Sequence, residues 1–212
     1  MEELKPYICQ YEDAASEKLQ FLKVQGQTGY AAAISPASDY LTKEAAAENV
    51  FASWVSTHTL WDKIRTTGGA YGANCWVDNI EKSVIMSTYR DPTPEKSIEV
   101  YLQSLKELCS RPIPKEEVEK TIVSSYGNAI VPACPKDRGA RSFEGMLYGN
   151  PQDFKQKRVD NILEVTEEDV EKAADRIYEA AVKKCSKAVF CSKSDITEKS
   201  EKNGGNIIKI PL

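Results

Sequence analysis

The stretch LWDKIRTTGGAYGANCWVDNIEKSVIMSTYRDP, residues 60–92, decides how the chain is read. "LWDKIR" is helix-like, and the paired glycines end it, because Gly68 or Gly69 can take the left-handed backbone that a helix C-terminus favours. "YGANCWV" and "SVIMSTYR" are strand-like runs, and "DNIEK" between them is a hairpin-sized connection. Asp91 and Pro92 stop the second run. A helix, a glycine turn and a hairpin in direct succession place helical and sheet layers in one domain.

Upstream, Thr42 is placed as an N-cap for "KEAAAENVFASWVSTHTL". There Ala46, Val50, Trp54 and His58 recur every fourth residue, flanked by Ala47 and Val55, so an amphipathic helix is expected to about His58, with "LWDKIR" as a shorter separate piece. Before it, "LQFLKVQGQTGYAAAIS" reads as extended at 21–24 and 30–34, and Pro36 closes it. Downstream, Thr93, Pro94 and Glu95 open a helix with Ile98, Tyr101, Leu102, Leu105 and Leu108 on its apolar face. After "SRPIPKEE" another helix carries Val118, Ile122 and Val123 and fades by "IVPACP". Helical stretches are expected at 141–148 and 151–163. Thr166 and Asp169 make a capping-box pattern before a strong helix whose face is Val170, Ala173, Ala174, Ile177 and Ala181. "KAVFCS" is a core-type strand, "SDITEKSEKNGG" a loose charged stretch and "NIIKIP" a short closing strand. This order gives an α+β fold, a largely antiparallel sheet with helices packed on it. Residues 1–20 are a lead-in or linker and 21–212 one domain.

The chain has 212 residues, of which 41% are hydrophobic and 28% charged, an ordinary balance for a soluble globular domain. A net charge of −4 argues against a nucleic-acid partner. No apolar run is long enough to cross a bilayer, and the acidic start is expected to be no signal peptide and reads as a poor transit peptide. The six cysteines include no Cys-x-x-Cys pair, which fits free thiols in a reducing compartment. An intracellular, soluble location follows, bacterial cytoplasm or organelle matrix.

A hydrolytic zinc site needs at least three protein ligands, usually with histidines among them, and the chain has one histidine, His58, in "HTLWD". Hence no metal is assigned to this chain, and His58 reads as a partly buried helix residue. A Cys–His pair is formally available, but nothing places a cysteine beside His58. A Gly-x-Ser-x-Gly elbow is absent, and "GGAYG" is neither a P-loop nor a dinucleotide fingerprint. What remains is Arg65 and Tyr71, six residues apart across the glycine turn. One reading is structural: a cation at a helix C-terminus and an aromatic at the start of a strand. The other points both side chains into one cleft, where the arginine holds a peptide carbonyl or carboxylate and the tyrosine hydroxyl donates to a developing oxyanion. Gly69 and Gly72 would then let a substrate strand approach the backbone. The residues by themselves leave both readings open.

The whole stretch, from Leu-Trp-Asp-Lys-Ile-Arg through Gly-Gly-Ala-Tyr-Gly to Tyr-Arg-Asp-Pro, closely resembles the last domain of the presequence-protease branch of the pitrilysin/insulinase family of zinc metallopeptidases. Thr88 stands where that pattern has serine. The resemblance is strong over about residues 45–110 and continues more weakly to "KAVFCS". It implies a LuxS/MPP-like α/β domain, the last of four, in an enzyme whose two halves close like a clamshell. It implies that zinc is held by a partner N-terminal domain bearing His-x-x-Glu-His. On that pattern Arg65 and Tyr71 are accessory catalytic residues completing the partner's site, and Gly68, Gly69 and Ala70 line the bound peptide. The implied partners are the zinc-bearing N-terminal half and peptide substrates, and the chain by itself is expected to be inactive. Two alternatives stand beside this: a domain of the same fold kept only for assembly or peptide binding, and an unrelated α+β enzyme that uses a cysteine.

Overall fold

The computed structural model describes residues 19–22, 28–150 and 153–191 and the backbone of residues 23 and 206–209. Most of the expected lead-in and all of the expected charged stretch, 194–205, lie outside the described residues. Six strands form one sheet in the order β3-β4-β2-β5-β1-β6. They are β1 (Gln20–Lys23), β2 (Tyr30–Pro36), β3 (Gly72–Asp78), β4 (Ser83–Tyr89), β5 (Ser186–Cys191) and β6 (Asn206–Lys209).

The α+β layering expected from the sequence is what forms, with one departure in the sheet. β2 pairs antiparallel with β4 and β5, and β3 antiparallel with β4. β1, however, pairs parallel with both β5 and β6. β1 and β2 run in opposite directions, like the arms of a hairpin, but β5 is inserted between them. That insertion comes from more than 150 residues away in sequence, so no local pattern around residues 20–36 reveals it.

Alternation explains which sheet face is covered. Ala31, Ala33 and Ser35 of β2, Ala73, Cys75 and Val77 of β3, and Val84, Met86 and Thr88 of β4 are buried. Tyr30, Ile34, Trp76 and Tyr89 lie on the opposite, open face. Helices α1 (Lys43–Trp54), α2 (Pro94–Cys109), α3 (Lys115–Ala129), α4 (Pro135–Leu147), α5 (Phe154–Leu163) and α6 (Glu167–Lys183) complete the regular structure of the described residues, with a π-helical segment between α1 and β3. Phe51, Leu60, Ile64, Met86, Tyr101, Leu105 and Ile177 are the largest apolar side chains of the core. α1 is tied to α6 through the buried Glu48, which accepts from Ser38 N–H (2.9 Å), Ser38 Oγ (2.6 Å) and Arg176 Nε (3.1 Å).

Several helix ends form as the sequence suggests. Thr42 Oγ1 accepts from Ala45 N–H, and the Thr166–Asp169 capping box is complete. Others differ. The helix expected to stop near His58 continues without a break into the π-helical segment Val55–Thr66. His58 is exposed rather than partly buried, with its ring stacked on Trp54 at 4.9 Å. Val118 of α3 is buried, but Val123 is 67% exposed and belongs to the outer face. The helix expected at 141–148 already starts at Pro135 and buries none of its side chains. Among the described residues, no helix is long and apolar enough to cross a membrane.

Candidate functional site at the glycine turn

The turn is built by the way the π-helical segment ends. Thr67 N–H donates to Asp62 C=O at 2.9 Å, a five-residue span that winds the helix wider than an α-helix. Gly69 N–H then closes onto Arg65 C=O (3.1 Å) and Ala70 N–H onto Ile64 C=O (3.2 Å). This is the nested pair of a helix C-cap, each bond one residue wider than at an α-helical end. The two glycines meet different demands. Gly69 carries the left-handed backbone, at φ +80°. Gly68 does not; a Cβ there would stand 2.5 Å from the Ile64 carbonyl oxygen, so only glycine lets the chain fold back so closely. Gly72 has ordinary room, with Tyr89 Cβ 3.7 Å from where its Cβ would be. Ala70 is buried and pins the turn to the core.

Tyr71 leaves the turn 66% exposed while its backbone is fixed, its N–H donating to Tyr89 C=O (3.1 Å) and Arg90 C=O (3.4 Å). Its ring packs edge-on against Tyr89 at 5.7 Å, and Tyr89 packs in the same way against Tyr30 at 5.6 Å. The three tyrosines form a row across the ends of β3, β4 and β2. Arg65 takes a different neighbour: its guanidinium lies 3.6 Å from the centre of the Trp61 ring, one helical turn back. Neither Arg65 nor Arg90 has a carboxylate partner among the described residues. The turn thus brings Arg65 and Tyr71 to one end of the sheet, each resting on its own aromatic support. Trp61, Tyr89 and Arg90 were not selected from the sequence as site residues. The four-residue spacing from Trp61 to Arg65 and the intact Tyr-Arg-Asp-Pro motif are the signals that could have found them.

The residues present do not fit a zinc site. Among the described residues, no group of three or more His, Cys, Asp or Glu side chains could hold a metal ion. His58 Nε2 instead meets Glu117 at 3.2 Å, and its Nδ1 lies 3.0 Å from Thr57 Oγ1. Two of the described cysteines are poor candidates for a nucleophile. Burial pushes the Cys75 thiol up to about 12, partly offset by its hydrogen bond with Tyr101. Burial and the neighbouring Asp175 raise Cys109 to about 11. A cavity of about 270 Å³ lies at the other end of β3, between Trp76, Ile80, Tyr40, Phe154 and Arg158, away from the glycine turn.

The fold and this turn define a domain of the pitrilysin-like zinc-protease class. The structure superposes on a peptidase M16 inactive domain from Pseudomonas fluorescens with a TM-score of 0.64, at 13% identity, over 82% of this chain and 43% of that one. It superposes on pitrilysin with a TM-score of 0.60, at 18% identity, over 82% of this chain and 19% of that one. At the level of sequence, the family described as "PreP C-terminal domain" matches residues 32–195, and the chain belongs to that family. It is 27% identical over 145 residues to "Presequence protease, mitochondrial" of Candida albicans, covering 68% of this chain and 14% of that protein. It is 28% identical over 128 residues to "Presequence protease 1, chloroplastic/mitochondrial" of Arabidopsis thaliana, covering 60% of this chain and 12% of that protein. The chain therefore spans only about one seventh of the length of these relatives.

Proposed function

We propose that this domain closes over, and completes, the active site of a presequence-protease-like peptide hydrolase whose zinc ligands lie in an N-terminal half. In this reading Arg65 holds a carbonyl of the bound peptide, and the Tyr71 hydroxyl donates to the scissile carbonyl oxygen as it gains charge. The Gly68-Gly69-Ala70 turn lies along the peptide. One observation carries the reading: the turn fixes the Tyr71 backbone at two acceptors while leaving its side chain 66% exposed, and Arg65, across the same turn, has no carboxylate partner among the described residues. A side chain held ready and left uncovered is suited to a ligand that arrives from outside, and a donor preorganised for the transition state costs no rearrangement at the moment of reaction.

The test is Tyr71→Phe in the assembled enzyme. The change removes one oxygen and leaves the ring packing on Tyr89. The expected loss is about 100- to 1,000-fold in kcat with a smaller change in KM, the size seen when one transition-state donor is removed. Unaltered turnover would sink the catalytic role. The domain alone should cleave nothing, and adding it to the zinc-bearing half should restore chelator-sensitive cleavage of an unstructured peptide.

A second reading, assembly or peptide binding alone, draws on α4, where Phe143, Met146 and Leu147 are all more than half exposed. It predicts full turnover in Tyr71→Phe and loss of assembly when this apolar face is made polar.

A further inference from the structure

The Tyr-Arg-Asp-Pro motif is used more fully by the structure than a strand end requires. Arg90 sits at φ +48°, a left-handed backbone that a residue with a Cβ adopts at a cost and that glycine or asparagine would meet more easily. The residues around it hold it there. Asp91 and Gly29 exchange both backbone hydrogen bonds at 2.8 Å, and Tyr71 N–H reaches the Arg90 carbonyl. Asp91 is 1% exposed; its Oδ1 accepts from Thr93 N–H at 2.9 Å and caps the turn, while its buried Oδ2 has no hydrogen-bond partner among the described residues. The arginine above it is exposed. Its guanidinium stands 5.9 Å from the Tyr71 ring centre and 5.5 Å from that of Tyr89, within cation–π range of both. No carboxylate pairs with it among the described residues, in a chain that carries a net charge of −4.

A planar cation is therefore held in a strained turn, against the side chain expected to touch the reacting carbonyl, with its hydrogen-bonding fork unused among the described residues. We propose that Arg90 is a specificity-determining residue that binds a carboxylate of the peptide substrate near the bond that Tyr71 reaches. The inference rests on the proposed function for the place of the peptide and adds the chemical group selected beside it. Guanidinium and carboxylate match as a two-pronged pair, and the aromatic ring beneath the cation limits its access to water. The carboxylate can come from an aspartate or glutamate side chain or from the free C-terminus of the peptide.

The experiment uses the assembled enzyme and two sets of fluorogenic peptides. One set pairs glutamate with glutamine at each of the three positions on either side of the cleaved bond. The other pairs a free C-terminus with its amide. The wild-type enzyme is expected to favour the carboxylate member of at least one pair by about tenfold in kcat/KM, mainly through KM, and less at high salt. Arg90→Gln should bring that ratio close to one, and Arg90→Lys should retain part of it. If Arg90→Gln does not fold, Arg90→Asn, better suited to the left-handed backbone, supplies the same comparison. The pair that shows the preference identifies the source of the carboxylate. No wild-type preference in any pair overturns the proposal. So does an equal loss on both members of every pair in Arg90→Gln, which would assign the cation to an acid of the partner half. Tyr71→Phe is the independent control: it should lower both members together and leave their ratio intact. A Tyr71→Phe enzyme with full activity but a carboxylate preference that depends on Arg90 would refute the catalytic reading and leave the carboxylate site standing.

Discussion

Arg65 lies over Trp61, with its guanidinium carbon 3.6 Å from the ring centre, while Trp61 itself is 50% exposed. An exposed tryptophan one turn before an arginine with no carboxylate partner among the described residues is a support for that arginine more than a part of the core. The stacking is worth about 0.5–1 kcal/mol at an exposed site. Trp61→Ala in the assembled enzyme is therefore expected to lower kcat/KM about two- to fivefold, with little change in the melting temperature of the domain. Trp61→Phe should keep most of the activity. Equal kcat/KM in wild type and Trp61→Ala would show that Arg65 needs no such support.

Gly68 and Gly69 should respond differently to the same substitution. Gly69→Ala forces a Cβ into the left-handed region, at about 1–2 kcal/mol. Gly69→Asn should cost less, because asparagine tolerates that backbone. Gly68→Ala meets the Ile64 carbonyl oxygen at 2.5 Å, a backbone atom that cannot move without opening the helix end. It should be the most damaging of the three by thermal denaturation, and no larger residue should rescue it. Gly72→Ala, with its nearest neighbour at 3.7 Å, is the tolerant control. A Gly68→Ala domain as stable as Gly72→Ala would refute the close-approach argument.

Local signals were legible wherever neighbours in sequence are also neighbours in space. The Thr42 cap, the Thr166–Asp169 box, the β3–β4 hairpin and the glycine turn all formed near their expected places. What could not be read depends on distant partners. The parallel seat of β1 requires β5, and the outward face of Val123 depends on which side of α3 meets α1 and α5. α4 shows the same limit: Phe143, Met146 and Leu147 have a helical spacing that suggests a buried stripe, yet the described part of the chain offers nothing to cover them. At the site, the sequence singled out Arg65 and Tyr71, and the structure adds that each stands on an aromatic from elsewhere in the motif.

The cysteines give a direct test of the thiol alternative. Of the five described, Cys134 is exposed, Cys109 is partly buried, and Cys75, Cys185 and Cys191 are buried. Burial raises the Cys185 thiol as well as those of Cys75 and Cys109, so little thiolate forms at neutral pH. Among these five, a thiol reagent should label Cys134 rapidly in the native domain, and the three buried residues only on unfolding. Cys134→Ser should leave the activity of the assembled enzyme unchanged. Rapid labelling of Cys75 with parallel loss of activity would reopen the cysteine mechanism.

Asp169 sets an acid limit on the stability of the domain. Desolvation pushes its carboxyl up, but hydrogen bonds from Lys43 and from the Thr166 side chain and backbone, with the Lys43 charge, together outweigh that and hold it at about 2, below its ordinary value of 3.8. The Lys43 Nζ–Oδ2 distance is 2.8 Å, and Asp169 also closes the capping box at the start of α6. Between those two values the unfolded chain binds more protons than the folded one, so stability rises with pH through the window. The contribution is complete above about 3.8 and is lost as pH falls through about 2. Lys43 is well exposed, so solvent screening reduces the pair's share, and the cap and ion pair together are expected to supply about 1 kcal/mol. Asp169→Asn should lower the melting temperature at pH 6 by a few degrees and at pH 2 by much less. The difference between the two melting curves should narrow steadily from pH 4 downward. A gap that stays constant from pH 6 to pH 2 would mean that the carboxylate charge contributes nothing and that asparagine fails for reasons of packing alone.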